Sequence, residues 1–339
     1  MTHLAARAAF ASAAAAGLFA CSHASPTGDR GPAPVWPRPP AAPRARWGGA
    51  FPAPESGQPS FWSRALDVVV GGEGPVARPP PLPRPFAVAA EGREVLVADP
   101  DRPGVFRVDV EAGRIAAVDC PNRSWQAPMA LAAGPGRALF VADAGAGLIV
   151  AVPAAGTCRE IGKGSLERPT GIAFAAGRLY VVDPPRHEVA AFSPEGAEVL
   201  RFGSRGEGAG QLNYPTAIAA QIDGTLLVVD ALNFRVARFT ADGTPLGNFG
   251  EPGEEDGQLA RPKGIAVDGR GRIFVSDAQR DRVLVFDPAG AFSFSIGESG
   301  SGPGQLALPA GVAVEGDRLY VADSYNHRIQ LYQLLGDRT

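Results

Sequence analysis

Sulfur and imidazole groups are scarce in this sequence of 339 residues, which contains 3 cysteines, 2 methionines and 4 histidines. His3 and His23 lie near the amino terminus, which leaves His187 and His327 in the body of the chain. Because a zinc site needs several converging histidines or cysteines, we expect no metal ion and no other cofactor. No GxSxG motif, and no cysteine with a candidate partner histidine, indicates a nucleophilic active site.

An excess of charge of either sign is also missing, since the formal net charge is -3. Such a protein has no broad attraction to polyanions, and we expect no nucleic-acid partner. Long charged helical stretches are missing too, whereas 43 glycines and 33 prolines are present. This composition is typical of turn-rich β structure, and it predicts an all-β fold.

Residues 1–21 have the features of an export signal. Arg7 gives a weakly basic start, and residues 8–20 form an apolar run that is too short to span a membrane. The run ends in Leu-Phe-Ala-Cys, which resembles the lipobox of bacterial lipoproteins and implies lipidation of Cys21. Ser22 follows, which by the same resemblance favours the outer membrane. We therefore expect a lipid-anchored, extracytoplasmic protein of the bacterial envelope, with ordinary signal cleavage near Ala24 as the alternative.

Residues 22–63 are rich in proline and poor in β-branched residues, so that an extended tether is expected there. The segment also contains three of the four tryptophans of the chain, Trp36, Trp47 and Trp62. Two interpretations stay open. The segment is a stiff polyproline spacer, or one of its aromatic side chains packs on the folded domain or on a partner.

Residues 64–339 contain six copies of one pattern with a period in the low to mid forties. Each copy opens with a proline and a short strand of small apolar residues, and these prolines are Pro85, Pro128, Pro169, Pro215, Pro262 and Pro309. A second apolar strand follows and ends in aspartate, at Asp99, Asp143, Asp183, Asp230, Asp277 and Asp323. Third and fourth strands complete each copy.

Units of four short antiparallel strands cannot bury both faces alone, so we expect them to stack around an axis as the blades of a six-bladed β-propeller. The last unit lacks a fourth strand after residues 328–335. Residues 66–74, LDVVVGGEG, match the pattern of that strand. We expect this N-terminal strand to close the last blade and to remove the open edge of the ring.

The stretch Asp323 to Ile329 reads DSYNHRI, which resembles the hallmark of NHL repeats, with a weaker copy, DALNFRV, at 230–236. The resemblance implies an NHL-like propeller, and it extends over nearly the whole repeat region. Proteins of this kind include protein-binding modules, RNA-binding domains with one basic face, and a metal-dependent amidating lyase. The fold does not choose among these functions.

A ring of six aspartates suggests two roles. The carboxylates could bind calcium or act as acid and base. Alternatively they accept backbone N–H bonds at the strand ends and pair with an arginine of their own loop, as Asp323 can with Arg328. The structural role is favoured, because a residue needed once in every blade is needed by the blade.

The face where first strands begin and second strands end, called the channel-mouth face here, is the expected binding surface, because one loop of each blade converges there. Its candidate contact residues are Arg84, Arg168, Tyr214, Phe234, Arg261, Lys263 and Tyr325. The cations favour an anionic ligand or an acidic partner segment. Alternatively the arginines pair with neighbouring aspartates and display no net field.

Taken together, the sequence predicts a monomeric, non-catalytic binding scaffold that engages a protein or envelope component. A lyase or hydrolase with a metal in the central channel is the alternative. Cys120 and Cys158 lie in adjacent repeats, where they form either a disulfide between blades or two separate thiols.

Overall fold

The computed structural model describes residues 32–52, 81–92, 94–121, 123–154 and 156–336. From Ala33 onward these residues belong to one compact unit. The expected signal segment 1–21, Cys21, Trp62 and the segment 66–74 lie outside the described residues.

Five four-stranded antiparallel sheets follow one another along the chain, each with its strands in sequence order from the inner to the outer edge. Blade 1 comprises β3 (Ala87–Glu91), β4 (Glu94–Asp99), β5 (Gly104–Asp109) and β6 (Arg114–Ala117). Blade 2 comprises β7 (Pro128–Ala133), β8 (Leu139–Asp143), β9 (Leu148–Val152) and β10 (Arg159–Ile161). Blade 3 comprises β11 (Gly171–Ala175), β12 (Arg178–Asp183), β13 (Glu188–Phe192) and β14 (Glu198–Phe202).

Blade 4 comprises β15 (Pro215–Ala220), β16 (Leu226–Asp230), β17 (Arg235–Phe239) and β18 (Pro245–Phe249). Blade 5 comprises β19 (Pro262–Val267), β20 (Ile273–Asp277), β21 (Arg282–Phe286) and β22 (Phe292–Ile296). Blade 6 joins β23 (Pro309–Glu315), β24 (Arg318–Asp323) and β25 (Arg328–Leu334) to two strands from the N-terminal side, β2 (Ala45–Phe51) and β1 (Val35–Trp36).

The inner strands form a closed ring, because each contacts the inner strand of the next blade and β23 contacts β3. The expected six-bladed β-propeller, with its last blade closed by N-terminal strands, is confirmed. The innermost strands approach so closely that only glycine fits at some positions. A Cβ atom on Gly264 would lie 2.5 Å from the carbonyl oxygen of Ala310, and one on Gly171 would lie 2.8 Å from the Cα atom of Ala217.

The closing strand is not the one that the repeat pattern indicated. Strand β2 pairs antiparallel with β25, with Ala45 opposite Leu334 and Phe51 opposite Ile329. The other edge of β25 is paired with β24. The assignment of 66–74 to this place was therefore wrong, because both edges of β25 are occupied by other segments.

Two tryptophans of the expected tether pack on the propeller. Trp36 is buried and lies edge to face with Tyr332, with ring centroids 5.3 Å apart. The indole N–H of Trp47 donates to the side-chain oxygen of Gln330 at 2.7 Å. Within 22–63, the interpretation of a docked aromatic is thus confirmed for these two residues, and the described part of that segment contributes two strands to blade 6.

Cys120 and Cys158 form a disulfide, with Cα atoms 5.8 Å apart. Cys120 follows the outer strand β6 of blade 1, and Cys158 precedes the outer strand β10 of blade 2. The bridge therefore joins neighbouring blades, which was one of the two interpretations left open by the sequence.

The helical segments of the described residues are single 3-10 turns, such as Ala231–Asn233 and Ser324–Asn326, which follow second strands. Among the described residues, no helix has the length and apolar character needed to cross a membrane.

Candidate ligand-binding site at the channel mouth

The strand pairing places the opening proline of a blade beside the aspartate that ends its second strand. Pro262 lies opposite Asp277 in blade 5, and Pro309 lies opposite Asp323 in blade 6. The loops that enter the first strands and the loops that leave the second strands therefore share one face, as expected. This is the channel-mouth face.

All six aspartates are fully buried, and their carboxylates accept backbone N–H bonds from the loop that enters their own blade or from the turn after them. Asp183, for example, accepts from the amides of Glu167 at 2.8 Å and Arg168 at 2.9 Å. Each carboxylate thus fastens an inter-blade loop to its blade. The structural role expected for these aspartates is confirmed.

In blades 4 and 6 the Asp-Asn-Arg pattern acts as one brace. The guanidinium of Arg328 donates to Asp323 at 2.7 Å and to the carbonyl oxygen of Gln305 in the incoming loop at 2.8 Å. The side-chain amide of Asn326 donates to Asp323 as well. Burial raises the pKa of the Asp323 carboxyl, an effect that the Ala307 amide, Asn326 and Arg328 oppose.

Blade 2 builds the same brace with a residue that sequence reasoning missed. Its second strand is followed by Ala-Gly-Ala-Gly, which offers no arginine. Instead Arg123, from the incoming loop, donates to Asp143 at 3.1 Å and also pairs with Glu160. The sequence signal was an arginine shortly before Pro128, in the one blade without an arginine after its aspartate.

Hydroxyl groups join neighbouring blades to one another around the mouth. Thr170 donates to the carbonyl oxygen of Thr216 at 3.0 Å, and Thr216 donates to that of Lys263 at 3.1 Å. Ser324 donates to the carbonyl oxygen of Pro85 at 2.6 Å, across the junction of blades 6 and 1. These bonds hold the rim of the channel in a fixed shape.

A cavity of about 440 Å³ opens at this mouth and continues into the channel. Its deeper wall is a ring of one aliphatic side chain from each blade, formed by Val88, Leu131, Ile172, Ile218, Ile265 and Val312. Of the candidate contact residues, the cavity is lined by Arg84, Arg168, Tyr214 and Lys263. Arg261, Phe234 and Tyr325 do not line it.

The cations at the mouth differ in their partners. Arg84 forms an ion pair with Asp101 at 2.8 Å. Among the described residues, no carboxylate lies within ion-pair distance of Arg168, Arg261 or Lys263. The nearby aspartates are instead held by backbone amides and by the arginines of their braces. Pairing between mouth arginines and aspartates, the alternative drawn from the sequence, is therefore found for Arg84 alone.

The ammonium group of Lys263 is partly buried in the wall of the cavity. Burial lowers its pKa below the ordinary range of lysine, and repulsion from Arg261 and Arg84 lowers it further. Lys263 thus carries a positive charge whose neighbouring charges are also positive. The negative charge of an anion in the cavity would stabilise the charged ammonium and oppose both effects.

Exposed apolar side chains surround the opening. Tyr214 is exposed, and its ring packs edge to face on His187, 6.4 Å away. Tyr325 and Leu232 are exposed on the turns that follow the second strands of blades 6 and 4. Phe234, in contrast, packs partly against the core between blades. Leu232 was not a candidate from the sequence, although it stands two residues after Asp230 as Tyr325 does after Asp323.

The two histidines of the body of the chain are held by different loops. The Nδ1 atom of His187 accepts the backbone N–H of Tyr214 at 3.0 Å, and the ring of His327 contacts the carbonyl oxygen of Pro83. Within the described residues, no group of three histidine, cysteine, aspartate or glutamate side chains is arranged to hold a metal ion.

The ring of blades and its central channel define the chain as a six-bladed β-propeller. A protein family described as 6-bladed beta-propeller matches residues 254–338. No curated protein matches the sequence.

Similar solved structures include proteins of different functions. One is a catalytically inactive histidine-to-alanine variant of virginiamycin B lyase from Staphylococcus aureus with quinupristin, 16% identical, covering 74% of this chain and 95% of that one, with a TM-score of 0.55. Another is a gluconolactonase from Xanthomonas campestris, 17% identical, covering 75% and 87%, with a TM-score of 0.56. A third is an auxiliary nutrient binding protein from Bacteroides thetaiotaomicron, 10% identical, covering 74% and 69%, with a TM-score of 0.60. Likeness at these identities shows the fold alone.

Proposed function

We propose that this propeller is a binding scaffold that holds a protein or envelope partner through its channel-mouth face. The observation that carries the proposal is the set of cations at the mouth, Arg168, Arg261 and Lys263, with no carboxylate partner among the described residues. Exposed Tyr214 and Tyr325 stand beside them, and tyrosine and arginine are enriched in binding surfaces. An acidic surface on the partner would complement this face.

The chemistry of the cavity favours binding over catalysis. Its lining residues include no carboxylate, imidazole or thiol among those that the structure describes. Carboxylates, imidazoles and thiols are frequent general acids and bases, and the described lining side chains that could take such a role are Lys263 and Tyr214. The lyase and the gluconolactonase share the fold, and the lyase variant in which alanine replaces a histidine is catalytically inactive. The cavity of the present chain has no histidine among its described lining residues.

The finer family and the location are parts of the same proposal. Assignment to the NHL type is supported by the braces at Asp230 and Asp323, which use the hallmark residues of the motif. An extracytoplasmic location is supported by the disulfide between Cys120 and Cys158, since disulfides persist in oxidising compartments. Attachment through a lipid on Cys21, with the outer membrane favoured, completes this assignment, and the propeller acts as a monomer.

Photo-crosslinking in the native envelope tests the face. A photoreactive amino acid replaces Leu232, which is 55% exposed on the channel-mouth face, or Ile222, which is 91% exposed on the turn between β15 and β16 at the opposite end of the channel. We expect a discrete crosslinked species from position 232 and none from position 222. Crosslinking from position 222 alone would overturn the assignment of the face.

The anchor has a separate test. We expect Cys21→Ser to abolish incorporation of labelled fatty acid and to move the protein from the detergent phase to the aqueous phase in a phase-partition assay. Retention in the detergent phase would contradict lipidation at Cys21.

A further inference from the structure

We propose that the mouth cavity is a site for a small monoanion with an apolar body, such as a medium-chain carboxylate. The acid head binds beside Lys263, and the apolar body extends along the aliphatic ring of the channel. The inference rests on the proposed function, because it names the ligand chemistry of the same face. It also goes further, since it places a small molecule inside the channel instead of a partner on the rim.

Three of the four cations at the mouth lie on one side of it, whereas Arg168 lies just before the first strand of blade 3. Lys263 and Arg261 belong to blade 5, and Arg84 belongs to blade 1. Blade 6 lies between them, and there the place that Lys263 has in blade 5 is taken by Ala310, whose side chain is small. Lys263 and Arg84 both line the cavity and can act on one anionic group there, although Arg84 also pairs with Asp101 and Arg261 does not line the cavity. Arg261 and Arg84 lie close enough to Lys263 for their charges to lower its pKa, in addition to the larger effect of burial.

The rest of the cavity offers an apolar surface and few hydrogen-bond donors. Its depth is formed by the aliphatic ring, and Met129 and Phe86 add apolar surface nearer the rim. Thr170 and Thr216 also line it, but their hydroxyl groups donate to backbone carbonyls of the next blade. A ligand with one charged end and an apolar remainder matches this division, and about 440 Å³ suits a small ligand.

The choice of lysine at this position is unusual for the chain. Lys163 and Lys263 are the only lysines among its 32 basic residues, lysine and arginine together. Lys163 is exposed and pairs with Glu160 at 3.0 Å, three residues away. An ammonium is a compact point charge on a flexible stem, which fits into a half-buried wall where a planar guanidinium needs more space and more partners.

Calorimetric titration of the purified propeller with three probes separates the contribution of the acid head to binding from that of the apolar body. Octanoate carries both, acetate carries the head, and octan-1-ol carries the body. We expect octanoate to bind about tenfold or more tightly than either of the others, since each half contributes. The proposal would be overturned if octan-1-ol bound as tightly as octanoate. It would also be overturned if a glutamate hexapeptide, which is anionic but has no apolar body, bound as tightly as octanoate.

Variants locate the site. Lys263→Met is expected to weaken octanoate binding about tenfold or more and to leave octan-1-ol binding nearly unchanged. Lys163→Met, with the same chemical change on the exposed surface, is the matched control and should have no effect. The proposal fails if Lys263→Met binds octanoate as the parent does while thermal unfolding shows that it is folded.

The same two lysines allow a direct readout of occupancy. Octanoate is expected to slow reductive methylation of Lys263 severalfold and to leave that of Lys163 unchanged, as followed by mass spectrometry of the two peptides. Slowing at both lysines, or at neither, would contradict binding at the mouth.

The affinity should also depend on pH, because only the charged ammonium attracts the head. Octanoate binding is expected to weaken as the pH rises and Lys263 loses its proton. Because the pKa of Lys263 is lowered, this weakening should begin at a lower pH than that at which an ordinary lysine titrates. The charged and titratable groups near Lys263 are Arg261 and Arg84, and Arg168 and Tyr214 line the same cavity. Lys263→Arg should therefore remove this weakening. A profile that Lys263→Arg leaves unchanged would count against the proposal.

The outcomes distinguish this inference from the proposed function. Crosslinking from position 232 without octanoate binding would end the small-ligand site and leave the scaffold standing. Octanoate binding without a crosslinked partner would do the reverse.

Discussion

Each buried aspartate of the repeat places a carboxylate among backbone amides, so that the loop entering a blade is tied to the end of its second strand. Six such ties, one in each blade, position the loops whose side chains form the channel mouth. The residues that shape the binding face are thus supported by residues that cannot contact a ligand themselves. Removing one carboxylate should therefore lower the stability of the fold directly and affect ligand binding only through the displaced loop.

Replacement of Asp323 by alanine tests this at the most completely built brace. The change leaves the amide of Ala307 and part of the buried Arg328 guanidinium without an acceptor, so we expect a loss of about 3 kcal/mol or more in the free energy of unfolding. Urea denaturation followed by circular dichroism measures it.

Two variants control that experiment. Asp323→Asn keeps one acceptor oxygen and should lie between the parent and the alanine variant. Asp242→Ala removes an exposed ion pair with Arg178 and should leave the urea midpoint unchanged. If Asp323→Ala unfolds at the parent midpoint, the carboxylate is not a brace.

At the scale of strands, the blades follow from the repeat, but the closing strand does not. Second strands such as β16 and β20 are buried along their whole length because each is covered by the blades on both sides. That produces the continuous apolar runs ending in aspartate from which the six units were predicted. The inner strands needed small residues, which the glycines and alanines after each proline supplied.

The closing strand could not be found in this way because its partners are remote in sequence. Strand β2 contains Arg46, Trp47 and two glycines, a composition that does not indicate a strand. Its place is determined by tertiary contacts, including Trp47 with Gln330 and Trp36 with Tyr332. The segment 66–74, with its three consecutive valines, had the stronger local pattern. Local propensity was therefore overridden by packing.

A pair of proline substitutions separates the two segments. Ala50 is buried in β2, opposite Gln330, and Ala50→Pro should disrupt the closing ladder and lower the melting temperature by roughly 5 °C or more. Val69→Pro, in the segment that the pattern favoured, should lower it less, because both edges of β25 are already paired with β2 and β24. Scanning calorimetry of both variants gives the answer, and the reverse order would restore 66–74 as the closing strand.

For the molecule as a whole, the sequence predicted which residues lie at the channel mouth but not which of their charges are paired. The candidate residues at the mouth were predicted from their positions beside the repeated prolines and aspartates. Four of these seven residues line the cavity. Which cations lack a carboxylate partner did not follow, because it depends on braces such as that of Arg123, which comes from a different position in blade 2. The inward turn of Phe234 likewise depends on packing between blades.

The disulfide is the covalent tie between two blades, and its contribution should be visible in global stability. It closes a loop of 38 residues, for which the loss of chain entropy in the unfolded state amounts to about 4 kcal/mol. We expect the Cys120→Ala, Cys158→Ala double variant to unfold at clearly lower urea concentration than the oxidised parent. The parent treated with a reductant should match the double variant. Equal midpoints for the oxidised parent and the double variant would show that the bridge does not stabilise the ring.

Affinity capture from the native envelope with two charge-reversal pairs shows whether the channel-mouth face holds the partner through its cations. Arg261→Glu with Lys263→Glu changes the mouth, whereas Arg114→Glu with Arg137→Glu changes exposed arginines at the opposite end of the channel. We expect the first pair to lose the captured partner and the second pair to retain it at the parent level. Capture that survives reversal at the mouth, and is lost on reversal at the opposite end, would contradict this expectation.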